Sequence, residues 1–167
     1  VPETYQASAS QAWFLLWNCL VPPVGSLTRP AIYMSKACMN GIWAWDNCFN
    51  ALAVIKADPA LAWDQIRLFF DHQESLGMLP DMVSDLEPVY GFTKPPVYGW
   101  AIQKLIQAQG LKKALPYLNE IYKPLIRLTE WWYKNRDFDG DGIPQYHHGN
   151  DSGWDNATPF LAGVPLE

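Results

Sequence analysis

Apolar residues recur along this chain at three- and four-residue steps, separated by stretches rich in glycine and proline, which is the rhythm of helices joined by long loops. Residues Ala9 to Leu20 form a first apolar helix, ended by Pro22-Pro23. The run DNCFNALAVIKA, Asp46 to Ala57, predicts a second helix with Asp46 as a candidate N-cap. Asp58-Pro59 opens a third, because aspartate caps well and proline suits the first helical position. That helix is expected to run to about Leu76, where Gly77 stops it. Residues 78 to 93 read as a loop. Pro96 opens a helix to about Gln109, halted by Gly110, and Leu111 to Asn135 carries the face Leu118, Tyr122, Leu125, Leu128 and Trp132. Pro116 and Pro124 should break or kink this last stretch.

No convincing period-two alternation competes with these helices, so no strand is expected. The pairs 46–57 with 58–76 and 96–109 with 112–135 read as antiparallel hairpins with their long loops gathered at one end. The expected fold class is all-α, a partial toroid of helical hairpins with function on the loop side. Residues 1–167 are read as one domain, an incomplete part of a larger barrel, because only about three hairpins are present and a further helix begins after Asp155.

Composition sharpens this picture. Aromatic residues make up 14% of the chain, nine of them Trp, against 17% charged residues. Indoles combine a flat apolar face with a polar N–H, which suits a concave wall meeting polar ligands. At least half of the nine are expected to be ordinary core. A net charge of -5 without a long basic run gives no reason to expect nucleic acid, and no apolar stretch is long enough to span a membrane. Three cysteines at irregular spacing suggest neither a disulfide framework nor a zinc site and lean towards a cytoplasmic location.

Candidate chemistry concentrates at two Trp-Asp-Asn triplets, each where a loop becomes a helix: Trp45-Asp46-Asn47 and Trp154-Asp155-Asn156. Either aspartate could simply cap its helix. Ser152-Gly153 supply a turn that exposes Asp155, Trp154 can lend it an apolar wall, and Asn156 offers an amide, a set suited to a carboxylic acid that protonates a leaving oxygen. Asp46, flanked by Trp43 and Trp45, combines an acid with stacking faces, as a sugar site requires. The loop between the third and fourth helices adds Asp81, Asp85, Tyr90 and Lys94. Its length points to function, although a solvated surface loop is the default. In DFDGDGIPQY, Asp137, Asp139 and Asp141 fall at positions 1, 3 and 5 of a calcium loop, the Ile143 carbonyl at 7 and Gln145 at 9. Position 12 is His148, not the usual glutamate, and an Asx-Gly turn reads the segment equally well. Calcium, as a structural ion, is the one cofactor expected; no organic cofactor is.

Three blocks in this order, IWAWDNCFNALAVIKADPALAWDQIRLFFDHQESLGMLPDMVSD, TKPPVYGWAI and NRDFDGDGIPQYHHGNDSGWDNA, resemble glycoside hydrolase family 63, the processing-glucosidase-like enzymes, with trehalases as more distant relatives. The resemblance runs from about Ile42 to the end. It implies an (α/α)6 barrel and an inverting exo-glycosidase acting on α-glucosidic bonds of an oligosaccharide or small glucoside. The general acid falls on Asp155, with Trp45, Asp46 and Lys94 around the sugar; Trp43, Tyr90 and Trp154 complete the candidate walls. Some family members hold calcium in the loop matching Asp137, Asp139, Asp141, Ile143 and Gln145. Relatives often have Glu where this chain has Asp151, which puts a sugar contact there in doubt. An inverting enzyme needs a second carboxylate about 6.5–9.5 Å away as base. None is found in this chain, so the remainder of the barrel is an expected partner. The alternative is a non-catalytic carbohydrate-binding or scaffold module on the same toroid.

Overall fold

The structure, a computed structural model, describes residues 1–155 and 157. Asn156 and the helix expected after Asp155 lie outside the described residues. Among the described residues five α-helices carry the fold: α1 Gln6–Asn18, α2 Asp46–Val54, α3 Pro59–Asp71, α4 Tyr98–Gln109 and α5 Leu111–Asn135. Five two-residue strands sit among them, β1 Leu20–Val21, β2 Ala31–Ile32, β3 Ile42–Trp43, β4 Met82–Val83 and β5 Pro88–Val89. Short 3₁₀ turns occupy Glu3–Tyr5 and Gly149–Ser152. Among the described residues no helix is long and apolar enough to cross a membrane.

The strands correct the all-loop reading of the connections. β1 pairs antiparallel with β2, and β3-β4-β5 form an antiparallel sheet in which Trp43 faces Met82 and Met82 faces Val89. Runs of two residues are too short to show alternation, so the sequence carried no signal for them. Helix α3 also ends five residues before the expected Leu76, as the chain turns through Gly77 at φ +111°. There a Cβ would strike the Arg127 carbonyl of α5, so only glycine permits the close approach.

Helix α5 runs unbroken through Pro116 and Pro124. Each proline removes one backbone donor, and packing carries the helix past both: Tyr117 stacks on Trp63 of α3 at 5.0 Å, and the Pro124 carbonyl accepts from Gln73 Nε2 at 2.9 Å. Its buried positions are Ala114, Ile121, Leu128, Trp131 and Trp132, while Tyr122 is 64% exposed. The expected stripe was therefore one residue off at this turn, a rotation of about 100°. The Asp58 cap is as expected, its carboxylate accepting from the Leu61 N–H at 2.9 Å, with Pro59 next to it.

The core lies between α2, α3, α4 and α5, around Trp63, Ile66, Phe69, Leu105 and Ile121. Two buried amides lock it. Gln65 Oε1 accepts from Ile32 N at 2.9 Å while its Nε2 donates to the Pro30 and Leu61 carbonyls. Asn47, one residue past Asp46, donates to the Gln65 carbonyl at 2.9 Å. The N-terminus of α2 is thereby pinned to α3, which fixes where Asp46 stands.

Candidate active site

The loop ends of β3, α2 and α4 converge on a cavity of about 140 Å³ lined by Met34, Met39, Trp43, Trp45, Asp46, Lys94, Gly153 and Asp155. Five of these are candidates from the sequence. They come from three separate blocks, and the fold delivers all three to one place. A wider groove of about 400 Å³, lined by Pro96, Thr129, Trp132, Tyr133, Pro144 and Tyr146, holds no carboxylate on its walls and offers less chemistry.

Trp43 ends β3, and the next backbone N–H, at Ala44, donates to the Asp81 carbonyl at 3.0 Å. Trp45 precedes α2 and Asp46 is its first residue; no side chain caps this end. The Asp46 carboxylate is thus not consumed in capping. Burial pushes its pKa above the ordinary value, backbone hydrogen bonds and Lys94 oppose the shift, and the neighbouring Asp155 charge adds to it.

Lys94 is buried, and its ammonium donates to the Asn150 carbonyl at 2.6 Å. Two carboxylates flank it, Asp81 Oδ1 at 3.6 Å and Asp155 Oδ1 at 3.7 Å. The Asp155 side chain is 46% exposed, so it meets both the ammonium and the open side of the cavity.

Asp155 is brought here by a tightly bonded turn. The Ser152 hydroxyl donates to the Gly149 carbonyl at 2.6 Å and accepts from Trp154 N at 3.0 Å. Gly153 follows at φ +70°, where a Cβ would stand 2.5 Å from Trp45 Cζ2. Glycine is required twice over, for its left-handed backbone and to let the second triplet's turn lie on the indole of the first.

Asp151 resolves the doubt raised by its short side chain. It is 1% exposed, and its oxygens accept from Thr93 N at 2.8 Å, Arg136 Nη1 at 3.1 Å, His147 N at 2.9 Å and His148 N at 3.1 Å. With four donors satisfied, it is a tie between the segment carrying Lys94 and the turn carrying Asp155, not a group that faces a ligand.

Two candidates stand apart from the cavity. The Tyr90 hydroxyl donates to the His72 carbonyl at 2.6 Å, and Trp154 is 67% exposed; neither is among the lining residues. Met34, Met39 and Gly153 line it without having been singled out as wall residues, and methionines in a loop carry no sequence signal for this role.

At the end of α5, oxygens of Asp137, Asp139 and Asp141 all lie within 4.8 Å of one another. One divalent cation bound at about 2.3–2.6 Å would span that distance. Asp137 Oδ1 is buried without a hydrogen-bond partner, while Gln145 Nε2 donates to Asp139 Oδ1 at 2.9 Å and its Oε1 accepts from Phe138 N. That amide bond is the main cause holding the Asp139 carboxyl below its ordinary range. The three acids therefore suit a divalent cation, and Gln145 would have to release Phe138 to add its oxygen.

Comparison with known proteins bears on the family and the fold. Mannosylglycerate hydrolases MGH1 and MGH2 of Selaginella moellendorffii are each 25% identical over 147 residues, covering 75% of this chain and 30% of theirs. A mannosylglycerate hydrolase of Rubrobacter radiotolerans is 24% identical, covering 83% of this chain and 36% of its own. The chain thus spans about a third of the length of the curated relatives it matches. Among solved structures, an uncharacterized conserved protein from Thermus thermophilus superposes with a TM-score of 0.77 at 25% identity, covering 95% of this chain and 41% of that one. A GH63 mannosylglycerate hydrolase from the same organism, in complex with glucose, superposes with a TM-score of 0.76 at 23% identity, covering 95% and 42%. The fold is accordingly part of an (α/α)6 toroid, as the hairpin rhythm and the family resemblance implied. The family model described as the mannosylglycerate hydrolase MGH1-like glycoside hydrolase domain matches residues 39–166, and the chain belongs to that family, within the GH63-like glycoside hydrolases.

Proposed function

We propose that the full-length protein is an inverting exo-glycosidase that hydrolyses α-glycosidic bonds, with Asp155 as general acid. The observation that carries this reading is the convergence of Asp46, Lys94 and Asp155 with Trp43 and Trp45 on one cavity. Indole faces suit the C–H face of a sugar ring, and the acid and ammonium suit its hydroxyls. Asp155, the more exposed carboxylate, would protonate the glycosidic oxygen as the bond breaks. Asp46 and Lys94 would orient the ring. The base that activates water on the opposite face would come from the remainder of the barrel, about 6.5–9.5 Å from Asp155. The relatives' names suggest mannosylglycerate as a substrate beside small α-glucosides. Calcium in the loop of Asp137, Asp139 and Asp141 would be structural, with the Ile143 carbonyl and Gln145 completing its ligands.

Proton NMR of the full-length protein with α-mannosylglycerate and with an α-glucoside tests this. The β-anomer of the free sugar is expected to form first. The α-anomer forming first would overturn inversion. Tight sugar binding without hydrolysis would favour the carbohydrate-binding module.

A further inference from the structure

Asp81 is not among the residues that line the cavity, yet it is buried and its Oδ1 has no hydrogen-bond partner. Leaving such an oxygen unsatisfied is costly unless a charge compensates. The compensating charge is Lys94, whose ammonium stands 3.6 Å from Asp81 Oδ1 and 3.7 Å from Asp155 Oδ1. Asp81 is also rigidly mounted. Its N–H donates to the Val89 carbonyl at 2.8 Å and its carbonyl accepts from Ala44 N at 3.0 Å, so its backbone continues the β3-β4-β5 ladder.

We propose that Asp81 is a positioning residue of the active site: its carboxylate anchors the Lys94 ammonium and balances its charge, so that Lys94 does not trap Asp155 in the ionised form. The proposal rests on the reading of Asp155 as general acid. A buried cation within 4 Å of a carboxylate favours the carboxylate's charged form, which cannot donate a proton. A second carboxylate on the same cation offsets that effect. The ionisable groups around the ammonium are Asp81 and Asp155, with Asp46 on the same cavity and Asp151 acting on Asp81 from nearby. Burial is the main influence on Asp81 and pushes its carboxyl up, Lys94 pulls it down, and Asp155 and Asp151 raise it further. Asp81 and Lys94 thus act as one unit.

The test is the pH profile of kcat/KM for the full-length protein as wild type, Asp81→Asn, Lys94→Gln and the double variant, on a glycoside that needs leaving-group protonation. In Asp81→Asn the alkaline limb is expected to move to lower pH by about one unit, with activity recovered on the acid side. In the double variant, which has neither charge of the pair, the limb is expected to return to that of the wild type. A loss in Asp81→Asn that is uniform across pH, or a downward shift that persists in the double variant, would overturn the proposal. Should Asp81→Asn fail to fold, comparing the wild type with the double variant decides it, because the double variant leaves neither member of the pair buried without its counter-charge. Coincident limbs support the balance of the two charges, and a double-variant limb at higher pH than the wild type rejects it. Asp155→Asn assayed in parallel keeps the two readings apart: if it turns over the glycoside normally, the acid assignment fails, whatever the Asp81 profiles give.

Discussion

Asp46 shows what the cavity costs the fold. Its carboxyl titrates above its ordinary value of 3.8 because burial disfavours the charged form. A carboxyl whose folded-state pKa is raised binds its proton more tightly in the folded protein. Its contribution is therefore fully present below pH 3.8 and is lost as pH rises through the raised folded value. At neutral pH the ionised group is a net burden. Asp46→Asn in the full-length protein is expected to raise Tm at pH 7, with the gain narrowing as pH falls towards 4, while kcat/KM drops about a hundredfold or more. Thermal melts across that range check the first part and steady-state kinetics the second; a lower Tm at pH 7 would contradict the account. The two Trp-Asp-Asn triplets made Asp46 and Asp155 legible as candidates in the sequence, because acid, indole and turn stood together, and both line the cavity. Asp151 was legible only as an oddity. Its role depends on donors from Thr93 and Arg136, which lie far from it along the chain and meet it only through the fold.

Among the elements, the helices were readable where local signals agreed. Asp58-Pro59 started α3 as expected, and Gly110 separated α4 from α5. The C-terminal end of α3 and the continuity of α5 were not readable, because both follow from contacts that α5 makes with α3 and the turn after it: the Gly77 turn against Arg127, Trp63 on Tyr117, and the Gln73 bond to Pro124. The acidic loop after α5 is the element where spacing and structure can be tested together. Calcium added to chelator-treated protein is expected to raise Tm, and Asp139→Asn is expected to abolish that rise. An equal response in wild type and variant would place the ion elsewhere. The loop is tied to the candidate active site, since Arg136 before it and His147 after it both bind Asp151.

At the scale of the whole molecule, apolar surface is exposed among the described residues. Trp13, Phe14, Leu15 and Trp17 of α1 are exposed, and the helix has no buried residue. With the chain spanning about a third of the curated relatives' length, the remainder of the barrel is the surface we propose to cover this face and to supply the base. The proposed activity of the whole molecule turns on Asp155 giving a proton to the leaving group. The most direct measurement compares wild type with Asp155→Asn in the full-length protein on two substrates, a natural α-glycoside and the matching α-glycosyl fluoride, whose fluoride departs without protonation. Asp155→Asn is expected to lose several orders of magnitude in kcat on the glycoside, to bind it still, and to keep much of its activity on the fluoride. An equal loss on both substrates, or near-wild-type turnover of the glycoside, would contradict that role.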